Sequence, residues 1–209
     1  MDTARTLGGA LDRALPRVSE EAAFVAELQA GSEEAFTYLL AVYQNPVYAL
    51  VSHIIENETD AADVLQDVFV KVFKGIHHFH GGSSLKTWIY RIAVHEASNH
   101  RRSWIRRHLR EPISLDERSQ DTGGCPTELR DRADTPYQAL QLAERQDMVK
   151  RALASLAQPY RTVVVLREIE GLSYEEIAGI VGVTEGTVKS RLMRGRELLR
   201  RKLVGWLGR

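Results

Sequence analysis

Ser173-Tyr174-Glu175-Glu176-Ile177-Ala178-Gly179-Ile180-Val181-Gly182-Val183-Thr184-Glu185-Gly186-Thr187-Val188-Lys189-Ser190-Arg191 reads as two helices around a sharp turn. Ser173 and Glu176 have capping-box spacing. The serine oxygen accepts from the third-residue amide, and the glutamate reaches back to the first. Ile177, Ala178 and Val181 then form an apolar face. Gly182-Val183 makes a tight turn, and Thr184 caps a second helix whose inward positions are Val188, Leu192, Leu199 and Leu203. A short helix, a glycine turn and a longer helix make the helix-turn-helix pattern, with small Ala178 where the helices must approach closely. Glu185, Thr187, Lys189, Ser190, Arg191, Arg194 and Arg196 are the candidate duplex-reading residues of the second helix. Arginine and lysine bind phosphates or guanine edges, and glutamate accepts from cytosine. The same pattern also fits a solvated basic helix in an ordinary bundle.

Outward from this motif, helical periodicity predicts helices at about 136–156, 159–170, 173–181 and 184–204. Upstream, residues 110–135 are polar and turn-rich, with Gly123-Gly124-Cys125-Pro126 at their centre, and read as a flexible linker. Before the linker, Ala35, Leu39, Val42, Tyr43 and Val47 recur at helical spacing. So do two parallel rows, Val64, Val68, Val72 and Leu65, Phe69, Phe73, which Gly75 ends. His77 to Ser84 reads as a glycine- and serine-rich loop, and Leu85 to Arg107 as a further helix with Trp88, Ile92, Ala93 and Ala97 on one side. Strand-type alternation is rare. The expectation is an all-α protein of two small helical domains, 19–109 and 136–209, joined by a flexible linker at 110–135 and preceded by a loose tail at 1–18.

The 209 residues carry 28 basic and 28 acidic side chains, but the signs are sorted along the chain. Val18 to Gln66 holds nine acids and no Lys or Arg; Lys86 to Arg110 holds seven Lys or Arg against one Glu. Glu111 to Asp147 returns to nine acids against four Arg, and Thr187 to Arg209 has eight Lys or Arg against one Glu. Two basic blocks between acidic ones predict two polyanion-binding places. Met1 to Ser19 carries Asp2 and Asp12 with no continuous apolar core, and there is a single cysteine. An exported, disulfide-built protein is therefore not expected, and neither is a membrane span; the cytoplasm is the expected compartment.

Lys86-Thr87-Trp88-Ile89-Tyr90-Arg91-Ile92-Ala93-Val94-His95-Glu96-Ala97-Ser98-Asn99-His100-Arg101-Arg102 interleaves aromatics, cations and an amide. Single-stranded DNA needs stacking platforms for bases and cations for phosphates. An extruded base also needs a pocket, which the preceding glycine-rich loop can supply. Core packing is the alternative for Trp88, and a solvated face the alternative for the Arg101–Arg107 run. All seven histidines fall between His53 and His108, yet His95 and His100 are five apart on a helix, about 140° around its axis, and do not suit one ion. His77, His78 and His80 lack an evident carboxylate or cysteine partner. No metal site, cofactor site or catalytic constellation is expected.

Taken together, these stretches resemble the bacterial extracytoplasmic-function (ECF) sigma factors, the sigma-E-like branch in particular, over about residues 20–205. Asp63-Val64-Leu65-Gln66-Asp67-Val68-Phe69 is similar to the family's polymerase-gripping helix in region 2. Phe79 through Ala93 resembles its melting and −10 segment, and Leu172 to Arg191 its region 4 helix-turn-helix. The resemblance implies an RNA polymerase subunit without catalysis of its own. Asp63, Leu65, Gln66, Asp67 and Phe69 would bind core polymerase. Lys86, Trp88, Tyr90, Arg91, His95, Asn99, Arg101 and Arg102 would open and hold the single-stranded −10 element. Glu185, Thr187, Lys189, Ser190, Arg191, Arg194 and Arg196 would read the −35 duplex. His95 stands where the family very often has Asn. The resemblance also implies an anti-sigma factor as partner, often membrane-bound. The competing reading is a stand-alone helix-turn-helix regulator of duplex DNA, which leaves residues 63–69 and 79–102 without a role.

Overall fold

The structure, a computed structural model, describes residues 18–55, 57–108 and 136–207. The tail, the linker with Cys125 and the acidic run within it lie outside the described residues. The described elements are helices α1 (Val18–Gln29), α2 (Glu33–Ile54), α3 (Glu58–Gly75), α4 (Leu85–His108), α5 (Pro136–Ala154), α6 (Gln158–Val164), α7 (Tyr174–Val181) and α8 (Glu185–Leu207). No strand occurs among the described residues, so the expected all-α class holds.

In the first helical group, Ser32 caps α2 by accepting the Ala35 amide at 3.2 Å, and Glu33 and Glu34 complement the positive end of the helix. One stripe of α2, from Ala35 through Leu39, Tyr43, Val47, Leu50 and Val51 to Ile54, is buried. Val64, Val68 and Val72 of α3 fill the facing layer, together with Ile89, Ala93 and Ala97 of α4. The second row of α3 lies at the edge of this core. Leu65 and Phe69 are only half-buried, and Phe73 is 59% exposed, tilted against Phe36 at 4.8 Å. Two adjacent rows of a helix cannot both point fully into one core, and the valine row is the one that does.

In the second group α8 lies directly on α6. A Cβ at Gly195 would stand 2.6 Å from Val164 Cγ2 and 3.4 Å from the Tyr160 carbonyl, so the two helices meet at this distance because residue 195 has no side chain. The helix expected at 159–170 is interrupted. After Val164 the backbone widens into a π-helical turn, Val165–Ile169, in which the Glu170 amide donates to the Val165 carbonyl at 3.1 Å. Arg161 through Leu166 are all buried, which no single 3.6-residue face allows for an amphipathic surface helix.

That run is buried because the two groups dock. Helix α4 packs on α7, and α2 packs on α5, α6 and the π turn. Their buried side chains form one continuous core. A polar seam runs along the contact. The Tyr90 hydroxyl donates to Glu170 at 2.7 Å, Arg91 Nε to the Gly179 carbonyl at 2.9 Å, and Gln158 Nε2 to Ser98 Oγ at 2.6 Å. Arg161, 1% exposed, donates through Nη1 to the Ile54 carbonyl at 3.0 Å and through Nη2 to the carbonyls of Leu156, at 3.1 Å, and Ala154. A buried guanidinium is tolerable only with such partners, and here it ends α2 from across the seam.

Candidate nucleic-acid and polymerase interfaces

The helix-turn-helix forms as its sequence dictates. Ser173 Oγ accepts the Glu176 amide at 3.1 Å while Glu176 Oε2 accepts the Ser173 amide at 2.8 Å. Gly182 adopts φ 71°, a left-handed conformation that costs glycine nothing, and its amide returns to the Ala178 carbonyl at 2.9 Å. Thr184 Oγ1 accepts the Thr187 amide at 3.4 Å and starts α8. Val188 and Leu192 are buried, as is Ile180, an inward position of α7 one turn beyond Ile177 that the sequence reading passed over.

Glu185, Lys189, Ser190, Arg194 and Arg196 are exposed, while Thr187 and Arg191 are half-buried. Several already have intramolecular company. Lys189 stands 3.7 Å from Glu185 and 5.5 Å above the Tyr174 ring. Arg196 grips one oxygen of Glu168 with Nε at 2.8 Å and Nη2 at 2.6 Å. Lys189, Arg194 and Arg196 share a groove with Tyr174, Met193 and Arg200. Met193, 68% exposed, was not singled out from the sequence, and a methionine on a cationic face has no periodic signal to reveal it.

On α4 the predicted residues divide. His95 and Arg102 are exposed, with Asn99 and Arg101 half-buried. Three form a ladder: Asn99 Nδ2 lies 3.1 Å from His95 Nδ1, and Arg102 Nη2 donates to Asn99 Oδ1 at 2.9 Å. Beneath it, Glu96 meets Lys71 Nζ at 2.5 Å and His95 Nδ1 at 3.0 Å. Burial pushes the Glu96 carboxyl up, but the hydrogen bonds from Lys71 and His95 outweigh it and hold the carboxyl below its ordinary value. Asp67 of α3 shares a groove with Val64, Glu96, Asn99, Arg102 and Arg106, so candidates for polymerase and for DNA stand side by side.

Tyr90 is covered in this conformation. It is 1% exposed, and its hydroxyl is committed to Glu170, so it does not face DNA in this conformation. Burial and the neighbouring Glu170 carboxylate push its phenol far above the usual range, which keeps the donor proton in place. Lys86 lies over the same ring at 5.3 Å. Arg91 is exposed but ends on the last turn of α7 through Gly179. Trp88 is half-buried, its ring centroid 5.2 Å from that of Phe79, and a Cβ at Gly75 would lie 3.3 Å from it. Core packing therefore accounts for much of this indole.

On α3, Asp63, Gln66 and Asp67 are exposed. Val70, at 43%, joins Phe73 as an exposed apolar residue beside them. The described residues hold no group of three or more His, Cys, Asp or Glu placed to bind a metal ion, and no helix long and apolar enough to cross a membrane.

Family models match this chain twice, Sigma-70 region 2 over residues 39–115 and Sigma-70, region 4 over residues 146–199. The ECF RNA polymerase sigma-E factor of Haemophilus influenzae is 38% identical over 182 residues, 87% of this chain and 94% of that one. The chain belongs to the ECF sigma-E family of RNA polymerase sigma factors. The sigma-E factor of Escherichia coli K12 is 35% identical over 180 residues, covering 86% of this sigma factor and 92% of its relative. Among solved structures, the sigma factor RpoE of Bartonella quintana in complex with the anti-sigma factor NepR is 26% identical. It superposes with a TM-score of 0.59 over 80% of this chain and 96% of its own. CnrH, solved with the cytosolic domain of CnrY, shares the fold at a TM-score of 0.62 and 23% identity, over 88% of this chain and 97% of its own. A lone helix-turn-helix regulator would leave the region 2 match without a role, and that reading falls.

Proposed function

We propose that this alternative sigma factor divides promoter recognition between its two helical groups. In region 2, Asp63, Leu65, Gln66, Asp67 and Phe69, joined by exposed Val70 and Phe73, dock on core RNA polymerase. On α4, Lys86, Trp88, Arg91, His95, Asn99, Arg101 and Arg102 hold the opened −10 strand, with the loop between Phe79 and Ser84 as the seat for an unstacked base. Tyr90 supports this helix from below. In region 4, the exposed face of α8 reads the −35 duplex through Glu185, Lys189, Ser190, Arg191, Arg194 and Arg196, with Thr187 fixing the start of the helix. The domains run 19–109 and 136–209, with residues 110–135 passing between them in the polymerase.

The observation that carries this reading is the pairing, in one chain, of a capped helix-turn-helix with an aromatic, cationic and amide row beside a glycine loop. The first suits duplex DNA and the second suits single strands. Strand opening then draws on binding energy, and no group on the chain performs a covalent step. Engagement of the −10 strand by Arg91 requires the two groups to part, because α7 holds that side chain here. An anti-sigma factor that binds the docked or the parted form is the expected regulator, and the cytoplasm is the expected site of action.

The test is transcription in vitro. The protein is mixed with bacterial core RNA polymerase and a library of promoter fragments, and the transcripts are sequenced. Defined start sites that need both components support the reading and supply the −10 and −35 sequences. A folded protein free of anti-sigma factor that yields no transcript with an active core overturns it.

A further inference from the structure

Helix α1 carries no residue of the polymerase or DNA sets, yet it makes two long-range contacts at the ends of one loop. At its last residue, Gln29 donates through Nε2 to the carbonyls of Ile76 at 3.1 Å and Phe79 at 2.9 Å. Near its start, Glu21 Oε1 accepts the Leu85 amide at 2.7 Å. Both side chains are half-buried. Eight residues along a helix rise about 12 Å, so α1 acts as a bar reaching both ends of the segment Phe79–Ser84.

The segment needs such a bar. Gly81 has φ 72°, and the side-chain hydrogen bonds local to the loop are those of Ser83 and Ser84. Ser84 Oγ accepts the Thr87 amide at 3.1 Å, whereas the first amide of α4, that of Leu85, finds its acceptor on α1. A carboxylate at that end also faces the positive pole of α4. The Phe79 carbonyl, leaving the short 3-10 turn Ile76–His78, finds a donor in Gln29. A six-residue loop containing glycine loses much freedom when it closes on a ligand, and ordering it beforehand removes that cost from binding.

We propose that Glu21 and Gln29 are positioning residues for capture of the unstacked −10 base. They hold the loop between Phe79 and Ser84 in its receiving shape from the side away from DNA and without touching DNA themselves. The proposal rests on the reading of this loop as the base seat.

The test uses holoenzyme assembled from the full chain and core polymerase. The probes are single-stranded oligonucleotides spanning the −10 sequence mapped by transcription, intact and with an abasic site at each position in turn. Wild-type holoenzyme prefers the intact strand at the captured position by about tenfold or more, the worth of one stacked base. Glu21→Ala and Gln29→Met bring that ratio down to near one, and Glu21→Gln, which keeps an acceptor, retains it. Binding of a −35 duplex fragment is unchanged in all three. An undiminished ratio in Glu21→Ala and Gln29→Met overturns the proposal, and so does an equal loss on intact and abasic strands, which marks general destabilisation. Absence of any preference in the wild type overturns the base-seat reading itself, and the proposal with it.

Discussion

On α8 the cations stand on a seat made by Val188, Leu192 and Gly195 and turn outward, whereas the N-terminal half of the α4 row runs beneath the other helical group. Tyr90 and Arg91 are spent on Glu170 and Gly179, while Arg194 stays exposed to solvent. The contrast teaches that a DNA-binding face is defined by what is docked on it as much as by its residues. Binding at α8 asks for no undocking, only the release of Arg196 from Glu168. Full binding at α4 carries the free energy of undocking, which lowers the apparent affinity by the fraction of molecules that are open.

The largest expected effect comes from breaking the seam at its buried cation. Arg161→Ala strands the carbonyls of Ile54 and Leu156. It should lower the unfolding free energy in urea by about 3 kcal/mol. An unchanged midpoint would mean that apolar packing alone joins the groups. Next, Gly195→Ala drives a methyl into Val164 and should cost about 2 kcal/mol. Duplex affinity at the −35 element should fall with it, since α8 is displaced from its seat; wild-type duplex binding would show that the seat does not set the reading face.

Glu170→Ala sharpens the contrast more gently. It removes the acceptor of Tyr90 and should cost about 1 kcal/mol. Binding of the free protein to single-stranded −10 DNA should rise severalfold while duplex binding stays level. Glu168→Gln is its mirror on α8. It releases Arg196 for a phosphate, so duplex affinity should rise and its dependence on salt steepen by about one unit. If both variants raised only duplex binding, the distinction between a covered and an open face would be lost. The smallest effect belongs to the base of the α4 ladder. The carboxyl of Glu96 is held below its ordinary value when folded, so the unfolded chain binds the extra proton and stability falls with pH below the ordinary carboxylate range. Lys71→Met should flatten that acid limb by at most about 1 kcal/mol, read from urea midpoints between about pH 6 and pH 3.

Much of this was legible from residues alone. The capping box of Ser173 and Glu176, the turn at Gly182 and the valine row of α3 are local devices, and local devices are written in spacing. The fate of Tyr90 was not, because an aromatic among cations looks the same whether a base or another domain covers it. Glu21 and Gln29 gave no signal either, since their partners are backbone groups about fifty to sixty residues away. Phe73 shares helical spacing with Phe69, and spacing does not say which of two adjacent rows wins the interior.

The π turn at Val165–Ile169 has one more consequence. Each residue advances a helix by about 100°, and one extra residue in a turn therefore re-aims everything that follows. Glu168, inside the turn, clasps region 4's own recognition helix, and Glu170, just beyond it, reaches into region 2. The angle at which the two halves of this sigma factor meet is thus written as a count of residues, and deleting one here would misalign the halves while every contact surface kept its chemistry.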